Sequence, residues 1–332
     1  MFAYQPKPFE PPFWTRLGGH FQTIFGSFFP IPNIKYQKRR RFHTPDGDFF
    51  DVDIVLGDNT QKPYVVVCHG LESSAHSSHS LRIVESFAAL GWNVFAINYR
   101  GCSGEPNLTL RTYHMGFVDD LDLLTKTIYE ETNKRCTIYL AGFSLGGNII
   151  IKFLGELGNK AYERCILGAA VSCVPLNPFY CQPKADRGFS KWIYVGRFLS
   201  SFKTKAEEQH KRFPKAFDIE RVRRITTIGE LDDYYVSKVF GFHGKEDYYR
   251  KNGSEFFLPF VRVPLLILQS KNDPIVDTEH VPQIPKSLPI HLFYTENGGH
   301  CGYFQGFFSP SYMAQEMSRF LGWINSGKSE SN

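Results

Sequence analysis

The sequence predicts an α/β fold with a mostly parallel central sheet, and three observations support that prediction. Residues 64–68 form a continuous, mostly β-branched run of the kind found in strands covered on both faces. Similar runs alternate with amphipathic helical patterns, which is typical of βαβ units with right-handed crossovers. Ahead of them, residues 45–48 (Pro-Asp-Gly-Asp) separate two apolar, aromatic-rich runs, which predicts an antiparallel hairpin at one edge of the sheet.

The predicted elements follow one another in a regular order. Strands are predicted at residues 38–44, 49–56, 64–68, 92–99, 137–142, 166–174, 264–269 and 290–295. Helices are predicted near residues 81–88 and at residues 115–132, 148–157 and 312–324, where apolar residues recur at helical spacing. Gly91 is expected to end the first of these helices.

One long segment interrupts this order, from residue 175 to about residue 260. It is rich in Tyr, Phe, Lys and Glu, contains only short helical patterns, and is too long to be a plain connection in a compact domain. We therefore predict a single domain over residues 1–332, with a helical cap insertion at about residues 176–260.

Composition favours a soluble globular protein. Hydrophobic residues make up 42% of the chain and charged residues 21%, and no run approaches the roughly 18 apolar residues that a membrane span requires. The N-terminus lacks the apolar core of a signal peptide, and the seven cysteines are scattered singly. These features favour a reducing, cytoplasmic environment.

The formal net charge of +5 is small for this length, and only residues 38–41 (Lys-Arg-Arg-Arg) form a basic cluster. We interpret that run as a solvated edge strand, because a nucleic-acid surface would need a broader basic face. No nucleic-acid partner is therefore expected. The aromatic content of 16% could line an apolar substrate groove or touch a membrane surface, although core packing accounts for most aromatic residues.

Residues 142–146 (Gly-Phe-Ser-Leu-Gly) match the pattern G-x-S-x-G. The motif lies directly between a predicted strand and a predicted helix, which is the placement that a nucleophile elbow requires. Such a turn holds Ser144 in a strained conformation, and the flanking glycines avoid collisions with neighbouring backbone. Ser144 is therefore the predicted nucleophile of an α/β-hydrolase fold.

A serine hydroxyl needs a base to take its proton and an acid to orient that base. Asp273 follows the strand predicted at residues 264–269, and His300 follows the strand predicted at residues 290–295. Because the carboxyl ends of parallel strands meet at one edge, these side chains are expected to converge on Ser144. Activity should rise as His300 loses its proton, near pH 6.5 unless Asp273 and burial shift it. If Asp273 is not the acid, Asp277 is the next candidate.

The tetrahedral intermediate of ester hydrolysis needs two hydrogen-bond donors for its oxyanion. One is expected from the backbone N–H of Leu145, which follows the nucleophile. The other is expected from Leu71, in the loop His-Gly-Leu after the strand at residues 64–68.

Rival chemistries are less favoured. His76 and His79 have a metal-compatible spacing, but no acidic or cysteine partner stands in register with them. Cys301 adjoins His300 without an elbow to expose its thiol. The loop after residues 64–68 is neither a Walker loop nor G-x-G-x-x-G. The sequence therefore implies no cofactor and no metal.

Several stretches together resemble the YheT-type branch of the α/β hydrolases. They are residues 19–24 (Gly-His-Phe-Gln-Thr-Ile), 69–72 (His-Gly-Leu-Glu), 98–105 (Asn-Tyr-Arg-Gly-Cys-Ser-Gly-Glu), 142–148, 272–274 (Asn-Asp-Pro) and 298–302 (Gly-Gly-His-Cys-Gly). The resemblance implies hydrolysis of carboxylic esters, with acylglycerols and phospholipids among the suggested substrates, through a triad at Ser144, Asp273 and His300. The resemblance is closer to the bacterial members than to many eukaryotic ones, because this sequence lacks the N-terminal membrane segment of those eukaryotic relatives.

Two alternatives remain beside an ester hydrolase. An acyltransferase would resolve the same acyl-enzyme with an alcohol or thiol instead of water, and a binding protein would keep the fold without turnover.

The insertion is expected to roof the pocket and to select the acyl chain, since it leaves the sheet at the same edge as Ser144. The aromatic residues expected to take part are Phe179, Tyr180, Trp192, Tyr194, Phe198 and Phe202. The alternative is that these rings pack the insertion against its own core.

Overall fold

A computed structural model describes residues 4–13, 16–28, 31–59, 61–306 and 310–327. These residues contain one eight-stranded sheet in the order β1-β2-β4-β3-β5-β6-β7-β8. The strands are β1 (Lys38–His43), β2 (Phe49–Val55), β3 (Tyr64–Cys68), β4 (Asn93–Asn98), β5 (Ile138–Phe143), β6 (Ile166–Ser172), β7 (Leu265–Ser270) and β8 (Ile290–Thr295).

The predicted sheet topology is confirmed. β1 pairs antiparallel with β2, and β2 pairs antiparallel with β4, so the N-terminal hairpin lies at one edge. All pairings from β4 to β8 are parallel. The carboxyl ends of β3, β5, β7 and β8 therefore lie at the same edge of the sheet, as the α/β-hydrolase fold requires.

Helices cover both faces of the sheet. They are α1 (Gly19–Phe28), α2 (Ser78–Ala88), α3 (Asp119–Glu131), α4 (Leu145–Leu157) and α5 (Lys160–Glu163), followed by the helices of the insertion and the closing helix (Tyr312–Asn325). Val66 of β3 packs on the side of α3 and α4, whereas its neighbours Val65 and Val67 pack on the side of α2 and the closing helix. This alternation explains why β3 is apolar throughout, because each successive side chain enters a different core.

Two predicted helix boundaries were wrong. The helix predicted at residues 148–157 begins at Leu145, because the elbow leads straight into it through glycines that an apolar periodicity does not reveal. The helix predicted at residues 115–132 begins only at Asp119. Met115 lies in a loop, where its carbonyl accepts from the Asn148 amide and its N–H donates to the Tyr248 hydroxyl.

The segment between β6 and β7 is helical, and its elements lie within residues 178–260. They are α6 (Pro178–Ala185), α7 (Gly188–Ser190), a π-helix (Lys191–Val195), α8 (Gly196–Arg212), α9 (Ile219–Arg224), α10 (Ile228–Glu230), a second π-helix (Leu231–Val236), α11 (Ser237–Phe240), α12 (Lys245–Asn252) and two 3₁₀ turns (Ser254–Phe256 and Leu258–Phe260). A separate cluster around Val195, Leu199, Phe217 and Tyr235 forms its own core. The closing helix, Tyr312–Asn325, is α13.

The basic run at residues 38–41 lies on edge strand β1, where intramolecular partners neutralise most of its charge. Arg39 forms an ion pair with Asp53, Arg40 with Glu131, and Arg41 with both Asp51 and Glu105. Across the described ranges, none of the helices is both long enough and apolar enough to span a bilayer.

Candidate active site

The elbow predicted at residues 142–146 joins β5 to α4. Ser144 has φ 53° and ψ −127°, a conformation that non-glycine residues rarely adopt. A Cβ atom on Gly146 would lie 2.4 Å from the carbonyl oxygens of both Cys68 and His69, and one on Gly142 would lie 3.0 Å from the oxygen of Cys68. The strand–turn–helix therefore closes only with glycine two positions before and after the serine.

Asp273 and His300 reach Ser144 from the loops after β7 and β8. His300 Nδ1 lies 2.8 Å from Asp273 Oδ2, and His300 Nε2 lies 3.1 Å from Ser144 Oγ. The other carboxylate oxygen of Asp273 accepts from the N–H groups of Ile275 and Val276. These bonds hold the carboxylate in one orientation, so that a single oxygen faces the imidazole.

The alternative acid, Asp277, does not point towards this site. Its carboxylate accepts from the backbone N–H of His280 at 2.8 Å and lies 3.1 Å from His280 Nδ1. The His280 ring stacks on Tyr180, with ring centroids 3.7 Å apart. Asp277 therefore has its own imidazole partner away from Ser144.

The pKa of His300 reflects two opposing effects. Burial alone lowers the pKa of this imidazole, but the negative charge and hydrogen bond of Asp273, with a smaller effect of Cys173, outweigh burial and raise the pKa to about 9. The ordinary histidine pKa is about 6.5. The carboxylate thus favours the cationic form of the His300 imidazole.

Helix α1 supports the acid and base loops, and sequence reasoning assigned it no role. Thr23 Oγ1 accepts from the His300 N–H at 2.8 Å, and Gln22 Oε1 accepts from the Gly298 N–H at 2.8 Å. Gln22 Oε1 also accepts from the side-chain amide of Asn272. Gln22 and Thr23 belong to the motif at residues 19–24, so the family resemblance already pointed to the residues that support these loops. Two buried polar residues in a short apolar helix point to such a scaffold.

The predicted oxyanion loop follows β3, and His69 shapes it. Burial lowers the pKa of His69 to about 4, so the ring is neutral. Its Nδ1 lies 2.7 Å from the Gly70 oxygen, and its Nε2 accepts from the Tyr99 N–H. Among the described residues, none accepts a hydrogen bond from the backbone N–H of Leu71 or of Leu145. Both residues line the cavity that contains Ser144 and His300.

Glu72 connects this loop to the insertion. It has φ 51°, and its N–H donates to the Tyr113 hydroxyl at 2.8 Å. Its nearly buried carboxylate lies 2.9 Å from Lys205 Nζ and also accepts from the Ser201 hydroxyl. Lys205 and Ser201 both belong to α8, so an ion pair joins the insertion to the residue after Leu71.

The cavity beside Ser144 is bounded by the sheet edge and the insertion, and its lining is mainly apolar. Of the six aromatic residues predicted to roof it, only Phe198 and Phe202 line it. The other four were misplaced by the prediction: Phe179 packs on Tyr249, Tyr180 stacks on His280, Trp192 is exposed, and Tyr194 lies beside His20. Helical periodicity indicates an apolar face, but it does not distinguish a cavity from a packed interface or from solvent.

Two thiols lie near the imidazole. Ligand atoms of Cys173, His300 and Cys301 lie within 4.8 Å of one another, and the Cys301 N–H donates to Cys173 Sγ. Because both ring nitrogens of His300 already have partners, a metal bound there would disrupt the contacts to Asp273 and Ser144. The spaced histidines are also engaged otherwise: His76 Nε2 lies 3.0 Å from Asp53, and His79 packs on the Phe143 ring.

The fold, with its elbow between β5 and α4, defines the chain as an α/β hydrolase. The family model described as serine aminopeptidase, S33, matches residues 59–225. The Escherichia coli K12 protein YheT, whose name places it among the esterases, is 32% identical over 92% of this chain and 89% of that protein. The chain therefore belongs to the YheT-type family of α/β hydrolases.

Other relatives have lipase names. Human phospholipase ABHD3 is 27% identical over 91% of this chain and 76% of its own, and a monoacylglycerol lipase of Saccharomyces cerevisiae is 24% identical over 88% and 65%. Among solved structures, the Pyrococcus furiosus esterase Pf2001 has a TM-score of 0.57 at 16% identity and covers 97% of this chain and 98% of that one. That similarity shows the fold. The family as a whole is of the esterase and lipase type.

Proposed function

We propose that this protein hydrolyses carboxylic esters through an acyl-enzyme on Ser144, with His300 as general base and Asp273 as its orienting acid. The observation that supports this most strongly is the continuous series of contacts from Asp273 Oδ2 through His300 to Ser144 Oγ, at 2.8 and 3.1 Å. Both distances lie within the hydrogen-bonding range that a base needs to accept the serine proton.

In the first half-reaction, His300 Nε2 accepts the hydroxyl proton while Ser144 Oγ attacks the ester carbonyl carbon. The carbonyl oxygen becomes an oxyanion, and in this proposal the N–H groups of Leu71 and Leu145 donate hydrogen bonds to it. Collapse of this intermediate breaks the bond to the alcohol, which leaves with the proton from His300. Ser144 is then acylated.

In the second half-reaction, water replaces the alcohol. His300 takes a proton from water, the resulting hydroxide attacks the acyl carbonyl, and Ser144 leaves with that proton as the carboxylic acid is released. Asp273 stays ionised throughout and stabilises the imidazolium in both steps. No cofactor takes part in this scheme.

The mainly apolar cavity supports a substrate with a hydrocarbon acyl chain. Phe198 and Phe202 from α8 and Ile275 from the acid loop contribute to its wall. We propose that the insertion, at about residues 176–260, acts as a cap that binds the chain and excludes water from the acyl-enzyme.

The test compares Ser144→Ala with Ser103→Ala, a matched change in a loop outside the site. Activity is measured on p-nitrophenyl esters from acetate to palmitate, with p-nitroanilides to test for the amide cleavage that the family description suggests. Ser144→Ala is expected to lower ester hydrolysis by at least about a thousandfold and to abolish labelling by a fluorophosphonate. Ester hydrolysis by Ser144→Ala within tenfold of the wild-type rate, or fluorophosphonate labelling of this variant, would refute the assignment.

A further inference from the structure

The insertion exposes three large apolar side chains next to one another. Trp192 is 83% exposed, Phe189 50% and Ile193 43%. We name these three residues the cap patch. They lie in α7 and the following π-helix, where Ser190 and Tyr194 are buried and Lys191 is half-buried. This stretch is therefore apolar on its outer face, where a helix in contact with water is normally polar.

Uncompensated positive charge surrounds the cap patch. From residue 187 to residue 206 the chain contains five basic residues and no acidic residue. Arg187, Lys191 and Arg197 have no ion-pair partner anywhere in the described residues. The other two are engaged, since Lys205 pairs with Glu72 and Lys203 donates to the carbonyl of Arg223.

The cap patch lies close to the catalytic residues. Ser190 Oγ donates to the carbonyl of Pro274 at 2.7 Å, directly beside Asp273. Further along the same helical stretch, Phe198 and Phe202 line the cavity that contains Ser144. The stretch from α7 to α8 thus exposes aromatic residues on its outer face and contributes Phe198 and Phe202 to the wall of the proposed acyl site on its inner face.

We propose that the cap patch and its three free cations dock on an anionic lipid surface, so that the substrate ester is taken from a membrane. This proposal rests on the proposed function. Exposed Trp, Phe and Ile beside Lys and Arg are the combination that places a helix in the interface of an anionic bilayer. A tryptophan is stabilised at such a boundary, because its apolar ring contacts the lipid while its polar N–H stays hydrated.

Charge complementarity decides between a lipid surface and a second copy of the chain. A symmetric dimer through this face would bring like charges together, because Arg187, Lys191 and Arg197 surround the apolar residues on each copy. Anionic phospholipid headgroups would neutralise the same three cations. Apolar contact alone would not separate these partners.

Binding is measured without turnover, by sedimentation with vesicles of phosphatidylglycerol and phosphatidylcholine or of phosphatidylcholine alone. We expect binding to the anionic vesicles that weakens with salt. Changing Arg187, Lys191 and Arg197 to Gln should lower the partition coefficient about fivefold for each cation removed. Trp192→Ala should also weaken binding, whereas Phe260→Ala, which removes an aromatic residue 54% exposed elsewhere, should not.

All these variants should hydrolyse a short, water-soluble ester at the wild-type rate, because none of the changed residues touches Ser144 or its partners. Equal binding of the triple Gln variant and the wild type, or no vesicle binding by the wild type, would overturn the proposal. So would dimerisation without lipid that Trp192→Ala abolishes. Since binding does not require turnover, these results are separate from a failure of the proposed hydrolysis.

Discussion

Asp273→Asn should change the pH at which the enzyme works as well as its rate. The Asp273 carboxylate raises the pKa of His300 to about 9 against the opposing effect of burial. The difference from the ordinary value of about 6.5 corresponds to roughly 3 kcal/mol in favour of the imidazolium, at 1.36 kcal/mol per pH unit. Catalysis needs the neutral imidazole, so a raised pKa moves the rise in activity to higher pH.

The wild-type kcat/KM should therefore rise about tenfold per pH unit between pH 7 and 8 and level off above pH 9. At pH 7 only about 1% of His300 would be neutral, against roughly three quarters for an unshifted histidine. In Asp273→Asn the negative charge of Asp273 is lost, so burial, which lowers the pKa of His300, is opposed only by the smaller effect of Cys173. The midpoint should then fall to 6.5 or below, while the plateau falls on the order of ten-thousandfold because the imidazole is held in the wrong tautomer.

The assay is the initial rate of p-nitrophenyl ester hydrolysis below saturation, read at the isosbestic wavelength of p-nitrophenol from pH 5 to 10. Asp277→Asn is the matched control, because its carboxylate contacts His280 instead of His300. It should keep the wild-type midpoint. A wild-type midpoint at or below 6.5, or the same midpoint in Asp273→Asn, would show that this carboxylate does not govern the base.

Three further outcomes are expected. Phe202→Ala should alter the ranking of short against long acyl esters, since Phe202 lines the cavity, whereas Phe179→Ala should not. An unchanged ranking in both variants would show that the insertion does not select the substrate. Gly146→Ala should greatly lower the melting temperature or the yield of folded protein, because its Cβ would lie 2.4 Å from two backbone oxygens; a stable, active variant would contradict that geometry. Lys205→Met should lower kcat about tenfold, or about 1.4 kcal/mol, with little change in KM, because Lys205 holds Glu72 beside the oxyanion loop. The same variant should bind a trifluoromethyl ketone more weakly. Unaltered affinity for the ketone would argue against a coupling between Lys205 and the oxyanion loop.

The local sequence pattern was sufficient to predict the sheet and to choose the candidate site residues in their order along the chain. Strands β3 and β8 were predicted to the residue, although β3 is buried throughout and β8, at the edge of the sheet, is only half-buried. A continuous apolar run such as β3 indicates burial on both faces without knowledge of the neighbouring strands. Ser144, Asp273 and His300 could be chosen because each follows a strand. Parallel strands bring such loops to one edge whatever the details of packing.

Only the tertiary structure decided how that site is supported and which rings face it. Gln22 and Thr23 contact Gly298 and His300 across more than 270 residues of chain, and no periodicity reports a hydrogen bond between segments so far apart. Likewise, Phe202 and Trp192 are both aromatic residues of one helical stretch, yet one lines the cavity and the other is exposed. Sequence sets the spacing of side chains along a helix, but the direction that each face takes depends on what packs against it.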